Sequence, residues 1–347
     1  MPMNSSWRDF LLERGAHFEA ESVGHFADAA GELCATRDGG ILAPLTHLGL
    51  IACQGEDAQT FLHGQLSNDV RQLASLRSEY AAYCSAKGRV LANFLLWQDE
   101  QAYYLELARS LLPAVQKRLG MFVLRARAKL TDISESRPVL GVAGKSAVPA
   151  LGDLFPVLPQ RPHEVVHHRA YGTLIALPGN RFQLVAELDA AKELWHRLAA
   201  VLTPVGTPCW EWLEICNGLP LITPATQEQF VPQMANMELI GAVNFQKGCY
   251  PGQEIVARTQ YLGQLKRRMV LAHVDGNMLP RAGDDLYSSA PDAQASGMVV
   301  NAQAAPGGGY DLLAVAQTAS IAEEAALHLK STDGPLLKIQ PLPYPLP

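Results

Sequence analysis

Twice in the first two thirds of the chain the sequence runs strand, turn, strand, helix, and that recurrence constrains the fold more than anything else in it. The first pass opens with "LGLIACQ", Leu48 to Gln54, an apolar run of strand character. It feeds "GEDAQTFLHGQLSNDV", where acidic residues in the first turn and the spacing of Phe61, Leu62 and Gln65 predict a helix. "AAYCS", the turn "AKG", "RVLANFLLW", the polar "QDEQ" and "AYYLELA" read as a three-strand meander, closed by helical "SLLPAVQKRLGMFVL". The second pass is "YGTLIAL", the turn "PGN", "RFQLVAEL" and helical "DAAKELWHRLAAVL". Two copies of one pattern predict a duplicated α+β scaffold over residues 1–240, with pseudo-repeats at about 40–135 and 136–205.

After Lys266 the texture changes. "RRMVLAHV", "DDLYS", "SGMVVNAQ", "YDLLAVAQ" and "LLKIQPL" are short apolar runs cut by Gly, Pro, Asp and Asn, which predicts a small antiparallel β-barrel over residues 266–347. "APGGGY" reads as a hairpin loop, and the proline spacing of "PLPYPLP" forbids helix. A chain of 347 residues, 48% apolar, has the material for two or three packed domains.

Net charge narrows the function. At −6 the chain lacks the basic face that wrapping nucleic acid or lying on anionic lipid requires, so direct nucleic-acid binding is not expected. Lys266, Arg267 and Arg268 form a small basic cluster that reads as a solvated strand end. No run of eighteen apolar residues occurs, and "MPMNSSWRDFLLERG" carries charge where a signal peptide needs an apolar stretch. A cytoplasmic location is expected. The six cysteines include no C-x-x-C pair, so no ready zinc or iron–sulfur ligand set is visible and no metal is expected.

Between the two regions, residues 241–265 hold "KGCYPGQE", the densest chemistry in the chain. Pro251 and Gly252 stop what precedes them, while "GQEIVAR" has a helical pattern with Glu254 and Arg258 at a pairing distance of one turn. Cys249 then lies just before a helix start and two residues from the Lys247 ammonium, both of which favour a thiolate. Two readings stand open. Cys249 is a reactive thiol, or it is a small side chain packed into a tight connection. A cysteine hydrolase would need a histidine base, and none of the ten histidines is marked as that partner by its sequence setting.

Lys247, Gly248, Cys249, Tyr250, Gly252, Gln253 and Glu254 together resemble the signature of the YgfZ family, which is related to the aminomethyltransferase (T-protein) of the glycine cleavage system. The likeness continues through "GEDAQTFLHGQLSNDV", "AYCSAKGRVLANF", "FVLRARAKLTD", "QEQFVPQMANMELIGAVNFQKGCY" and "IQPLPYPL". It implies a ring of lobes around a central cavity that holds tetrahydrofolate, with the motif cysteine near its mouth. It also implies service to iron–sulfur client enzymes or assembly proteins, one of which thiomethylates tRNA. Trp210 corresponds to a tryptophan associated with folate in that family, or is simply helix core. Asn68, Asp69 and Asn93 either line the cavity or cap a helix and end a strand, and Arg89 and Arg125 either meet the glutamyl tail or are ordinary surface arginines.

Departures bear on the chemistry. An aspartate that follows the strand matching "AYYLELA" in true aminomethyltransferases has no counterpart in "RSLLPAV", and "LPGNRF" matches their acidic pterin-binding turn only loosely. Cys216-Asn217-Gly218 stands where Glu-Ala-Gly is usual, and Leu48 where some members have tryptophan. The leading reading is a folate-binding accessory protein of iron–sulfur maturation or repair, linked indirectly to tRNA modification and acting through Cys249. The alternatives are an aminomethyltransferase-like one-carbon transfer enzyme, and a folate-binding regulator in which Cys249 is structural.

Overall fold

A computed structural model describes residues 5–263, 265–288, 295–322 and 325–346. It opens with α1 (Ser5–Glu13), β1 (His17–Glu19), β2 (Ser22–His25), α2 (Ala29–Asp38) and β3 (Gly40–Pro44). The first repeat is β4 (Leu48–Gln54), α3 (Ala58–Gln65), β5 (Glu79–Cys84), β6 (Val90–Gln98), β7 (Tyr103–Ala108), α4 (Leu112–Val123) and β8 (Lys129–Asp132). The second is β9 (Val139–Gly144), α5 (Ala147–Gly152), β10 (Val165–His168), β11 (Gly172–Leu177), β12 (Arg181–Val185), α6 (Leu188–Leu198) and β13 (Thr203–Pro204). Each therefore reads strand, helix, three strands, helix, strand.

Sheet order carries the duplication further than the pattern does. One sheet runs β5-β6-β7-β4-β8 and the other β10-β11-β12-β9-β3-β13. Replacing each strand by its counterpart turns one order into the other, apart from β3, which is inserted before the last strand. The predicted duplicated α+β scaffold is present, and the strand at Leu48–Gln54 has the predicted bounds. The pattern did not reveal α1, whose Trp7 meets Trp195 of α6 edge to face at 6.4 Å and joins a core with Leu140, Leu174, Leu184 and Leu194.

By contacts the chain forms two compact units that interleave along the sequence. One takes residues up to Gln59, Gln72–Glu79 and Leu95–Trp210; the other takes Thr60–Arg71, Tyr80–Phe94 and Glu211 onward. α3, β5 and β6 each contribute residues to both units.

The remainder of the chain supplies α7 (Thr207–Cys216), α8 (Gln253–Tyr261), β14 (Arg267–Val274), β15 (Asp285–Ser288), β16 (Ala295–Ala304), β17 (Tyr310–Gln317), α9 (Thr318–Ala322), β18 (Leu327–Leu329) and β19 (Leu337–Gln340). Its strands form one sheet of order β18-β15-β16-β17-β14-β19, and a bridge between His328 and Leu336 draws the two edge strands together. The sheet curls into a half-barrel over Val274, Leu286, Val299, Leu312 and Leu329. A bulge between Val299 and Asn301 re-aims the Asn301 amide, which bonds both backbone groups of Leu221 at 2.9 Å. Along the proline-rich tail Tyr344 donates to the Gly218 carbonyl at 2.7 Å, and no helix forms there.

Candidate functional site

The KGCYPGQE loop is built onto the end of α3. Lys247 is 6% exposed, and its ammonium donates to the carbonyls of His63 and Leu66. Carbonyls at a helix C-terminus have no intrahelical donor and carry partial negative charge, so a buried ammonium there is well matched. The same ammonium stands 5.1 Å from the ring centroid of buried Tyr250, a cation–π contact. Burial raises the Tyr250 hydroxyl well above its ordinary range, with the buried Cys84 thiol beside it. Gln253 closes the loop by donating to the Lys247 carbonyl at 3.4 Å.

Gly252 fixes where the loop sits. It adopts φ 78, and a Cβ added there would stand 2.4 Å from the Ser85 carbonyl oxygen and 2.6 Å from Gly88. Only glycine satisfies both demands. The "AKG" turn thereby docks on the start of α8, whose first residue, Gln253, directly follows the predicted Pro251-Gly252 start. The expected Glu254–Arg258 pair is not formed: both side chains are exposed and no ion pair joins them, because one turn of solvent-facing helix gives such a pair little to gain.

Cys249 is exposed, as is Cys34, whereas Cys53, Cys84 and Cys209 are buried and their thiols pushed up to about 12 by burial. Beneath Gly248 of the same loop lies a residue that the sequence did not single out. His63, on the last turn of α3, places Nε2 3.4 Å from where a Gly248 Cβ would be. Its buried Nδ1 is 3.0 Å from Asp69 Oδ1. Arg71 grips both oxygens of Asp69 at 3.0 Å and holds that carboxyl down to about 2. Burial, and then the Lys247 ammonium, lower the His63 imidazole below its usual value. The spacing of His63 and Asp69 in "HGQLSND" was a usable signal, but nothing local in sequence ties it to residue 249.

The residues assigned to folate by resemblance are mostly engaged with protein. Asn68 donates to the Tyr80 and Gly241 carbonyls at 2.8 Å, and Asn93 bonds the Pro220 carbonyl and the Ile222 amide at 2.8 Å. Both pin backbone segments. Trp210 is completely buried, with the Arg181 guanidinium 5.1 Å over its ring. Arg125 is exposed beyond α4. Arg89 donates to the Gln229 carbonyl at 2.7 Å and lines an open cleft of about 430 Å³ with Lys87, Glu228 and Arg267.

A pterin edge needs buried acceptors, and the chain offers them. Gln183 Oε1 is buried without a hydrogen-bond partner. Glu211, partly accessible yet densely surrounded, accepts from Gln303 at 2.6 Å, and its carboxyl is pushed up to about 7 by desolvation and by Glu214. The unpartnered Gln183 oxygen is an acceptor of the kind a pterin edge needs. Among the described residues no cluster of His, Cys, Asp or Glu is arranged to hold a metal ion, and no helix is long and apolar enough to cross a membrane.

Residues 7–171 match the GCVT N-terminal domain family. Aminomethyltransferase T of the glycine cleavage system from Bartonella henselae superposes with a TM-score of 0.83 at 19% identity, covering 97% of this chain and 96% of that one. The fold is thus that of an aminomethyltransferase. A "tRNA-modifying protein YgfZ" of Sodalis glossinidius is 32% identical over 87% of this chain and 92% of its own length. Its namesake from Photorhabdus laumondii is 34% identical over 88% of this chain and 92% of the relative, and on that similarity the chain belongs to the YgfZ family.

Proposed function

We propose that the protein is a folate-binding accessory factor that serves tRNA modification by maintaining or repairing iron–sulfur enzymes, with Cys249 as its reactive group. Relatives named for tRNA modification and the aminomethyltransferase fold support a folate-related role in that process. One observation carries the cysteine. Lys247, Tyr250, Gly252 and Gln253 all hold the loop in place, while Cys249 stands exposed on the surface they build. A scaffold of this kind around an exposed thiol is what presenting that thiol to a partner requires. Gln183 would offer an acceptor to the pterin edge, and the bound folate would supply its reduced, one-carbon-carrying ring. The one-carbon transferase reading is weaker, because Arg109 after β7 pairs with Glu135 and no aspartate follows that strand.

Complementation tests the reading. In a strain lacking the gene, the native chain restores thiomethylated tRNA and iron–sulfur enzyme activities, and Cys249→Ala at equal abundance restores neither. Full restoration by Cys249→Ala removes the thiol from the function. One-carbon derivatives of tetrahydrofolate made by the purified protein in catalytic amounts would instead establish the transferase.

A further inference from the structure

We propose that the outer end of α4 is a docking surface for an acidic segment of a protein partner, one that carries apolar side chains among its carboxylates. The surface uses neither Cys249 nor a folate, so it stands or falls apart from both. Charge sets this stretch apart. From Leu107 to Thr131 the chain has no Asp or Glu and six cations, Arg109, Lys117, Arg118, Arg125, Arg127 and Lys129, in a protein whose net charge is −6. Arg109 is held by Glu135 and Arg127 by Glu56. The other four are exposed, and no carboxylate among the described residues pairs with them. Gln116 donates to the Leu130 carbonyl at 3.2 Å, which brings β8 and its Lys129 back alongside α4.

Three large apolar side chains stand among these cations: Met121 is 58%, Phe122 46% and Leu124 87% exposed. Leu112, Val115 and Leu119 are already buried on the inner face of α4, so the helix does not need them for its own packing. Arg118, Met121 and Phe122 fall at i, i+3 and i+4 of one outward face, and Leu124, at φ 44, ends the helix with Arg125 exposed beyond it. Gly120 adds a notch. A Cβ there would meet nothing within 4 Å, so no internal contact asks for glycine, although glycine weakens a helix interior relative to alanine. With Lys117 one turn before it and Leu124 one turn after, it lets another chain approach the helix closely. Charge and apolar exposure together select the occupant. Anionic lipid and nucleic acid are repelled by the acidic remainder of the chain, and a phosphate backbone has no use for three exposed apolar side chains. A protein segment with carboxylates set around apolar groups satisfies both halves of the surface, covering Met121, Phe122 and Leu124 while neutralising the four unpaired cations.

Photocrosslinking in cells tests this in the full chain. p-Benzoylphenylalanine in place of Phe122 is activated in a strain that lacks the native gene, and the joined peptide is sequenced by mass spectrometry. The same group in place of Val157, an exposed residue of the second repeat, gives the background. The expected adduct is a second protein, joined through a segment with an excess of Asp and Glu. Arg118→Glu with Arg125→Glu should cut its yield by about tenfold. Gly120→Leu should also cut the yield, by filling the notch, while leaving the melting temperature unchanged or higher, since leucine is the better helix former. Arg118→Gln with Arg125→Gln serves in place of the reversal if that variant does not fold. Capture of a protein through a segment that is not acidic overturns the proposal, and so does a nucleic acid, a lipid or a second copy of this chain joined at that position. A yield no higher than at Val157 overturns it as well, as does an adduct that survives these substitutions in folded protein.

Discussion

Gln183 of β12 donates from Nε2 to Glu106 Oε1 of β7 at 3.1 Å, and the two residues hold equivalent places in the two repeats. Glu106 lies opposite Leu50 of β4, and Gln183 lies opposite Gly141 of β9, each at the third position of its partner strand. Both are buried. The duplicated scaffold thus brings two counterpart positions into contact, and a buried polar pair occupies the place that apolar side chains would fill in an ordinary core. One position carries the carboxylate and the other the amide, so the two repeats have diverged where they meet.

Removing both members should cost less than the two single losses added together. Gln183→Leu takes a donor from a buried carboxylate and is expected to cost about 2 kcal/mol, within the range for hydrogen bonds to charged groups. Glu106→Leu with Gln183→Leu should cost less than the sum of the single changes. Urea denaturation of the four proteins measures the coupling, and strict additivity would show that the pair is not an energetic unit.

Glu211 predicts a pH dependence. Its carboxyl is pushed up to about 7 in the fold, against 4.5 ordinarily, so the folded state holds the proton more tightly than the unfolded chain. Its contribution is complete below the unfolded value and is lost as pH rises through about 7, a loss of up to about 3 kcal/mol reduced by solvent screening. Buried His47 and His163, lowered to about 3 and about 4, act in the opposite sense as pH falls. The difference between Glu211→Gln and the native chain isolates the glutamate. The variant should gain relative stability between pH 5 and 8, and a flat difference would show that Glu211 is not shifted.

Much of the fold was legible in residues and little of the site was. Alternation and turn residues give β4, β14 and β17 their bounds, because each strand's partners are fixed by a local apolar run. The helix after Pro251-Gly252 was legible for the same reason, since a left-handed glycine stops the chain whatever surrounds it. Lys247 was legible only as a charge near Cys249. That its ammonium turns inward to α3 depends on a contact between residues 247 and 63, which no local pattern encodes. His63 was missed on the same ground, and Asn93 read as a polar group in an apolar strand because its partners lie more than a hundred residues away.

Reduced folate should change tryptophan emission. Trp210 is buried against Arg181, and Trp212 donates from Nε1 to Asp311 at 2.8 Å, so the two indoles sit in different polar settings. Titration with tetrahydrofolate is expected to quench emission saturably, and Trp210→Phe to remove the larger share of the quench if the pterin reaches that side of α7. No saturable response up to about millimolar ligand, where binding is worth only about 4 kcal/mol, would end the folate reading.

Lys247 and Cys249 should separate stability from chemistry. Lys247→Met leaves the His63 and Leu66 carbonyls without their ammonium in a buried setting, and the loss should be about 2–3 kcal/mol, with faster proteolysis within residues 245–262. Cys249→Ser replaces an exposed side chain and should stay within about 0.5 kcal/mol of the native chain. Both variants should fail to complement, the first because the loop is no longer clamped to the end of α3 and the second because the thiol is gone. The telling result is the pairing of outcomes. If Cys249→Ser melts as early as Lys247→Met, the sulfur is a packing group in the loop and the activated-thiol account falls. If Cys249→Ser melts like the native chain and still fails to complement, the loop exists to present that sulfur.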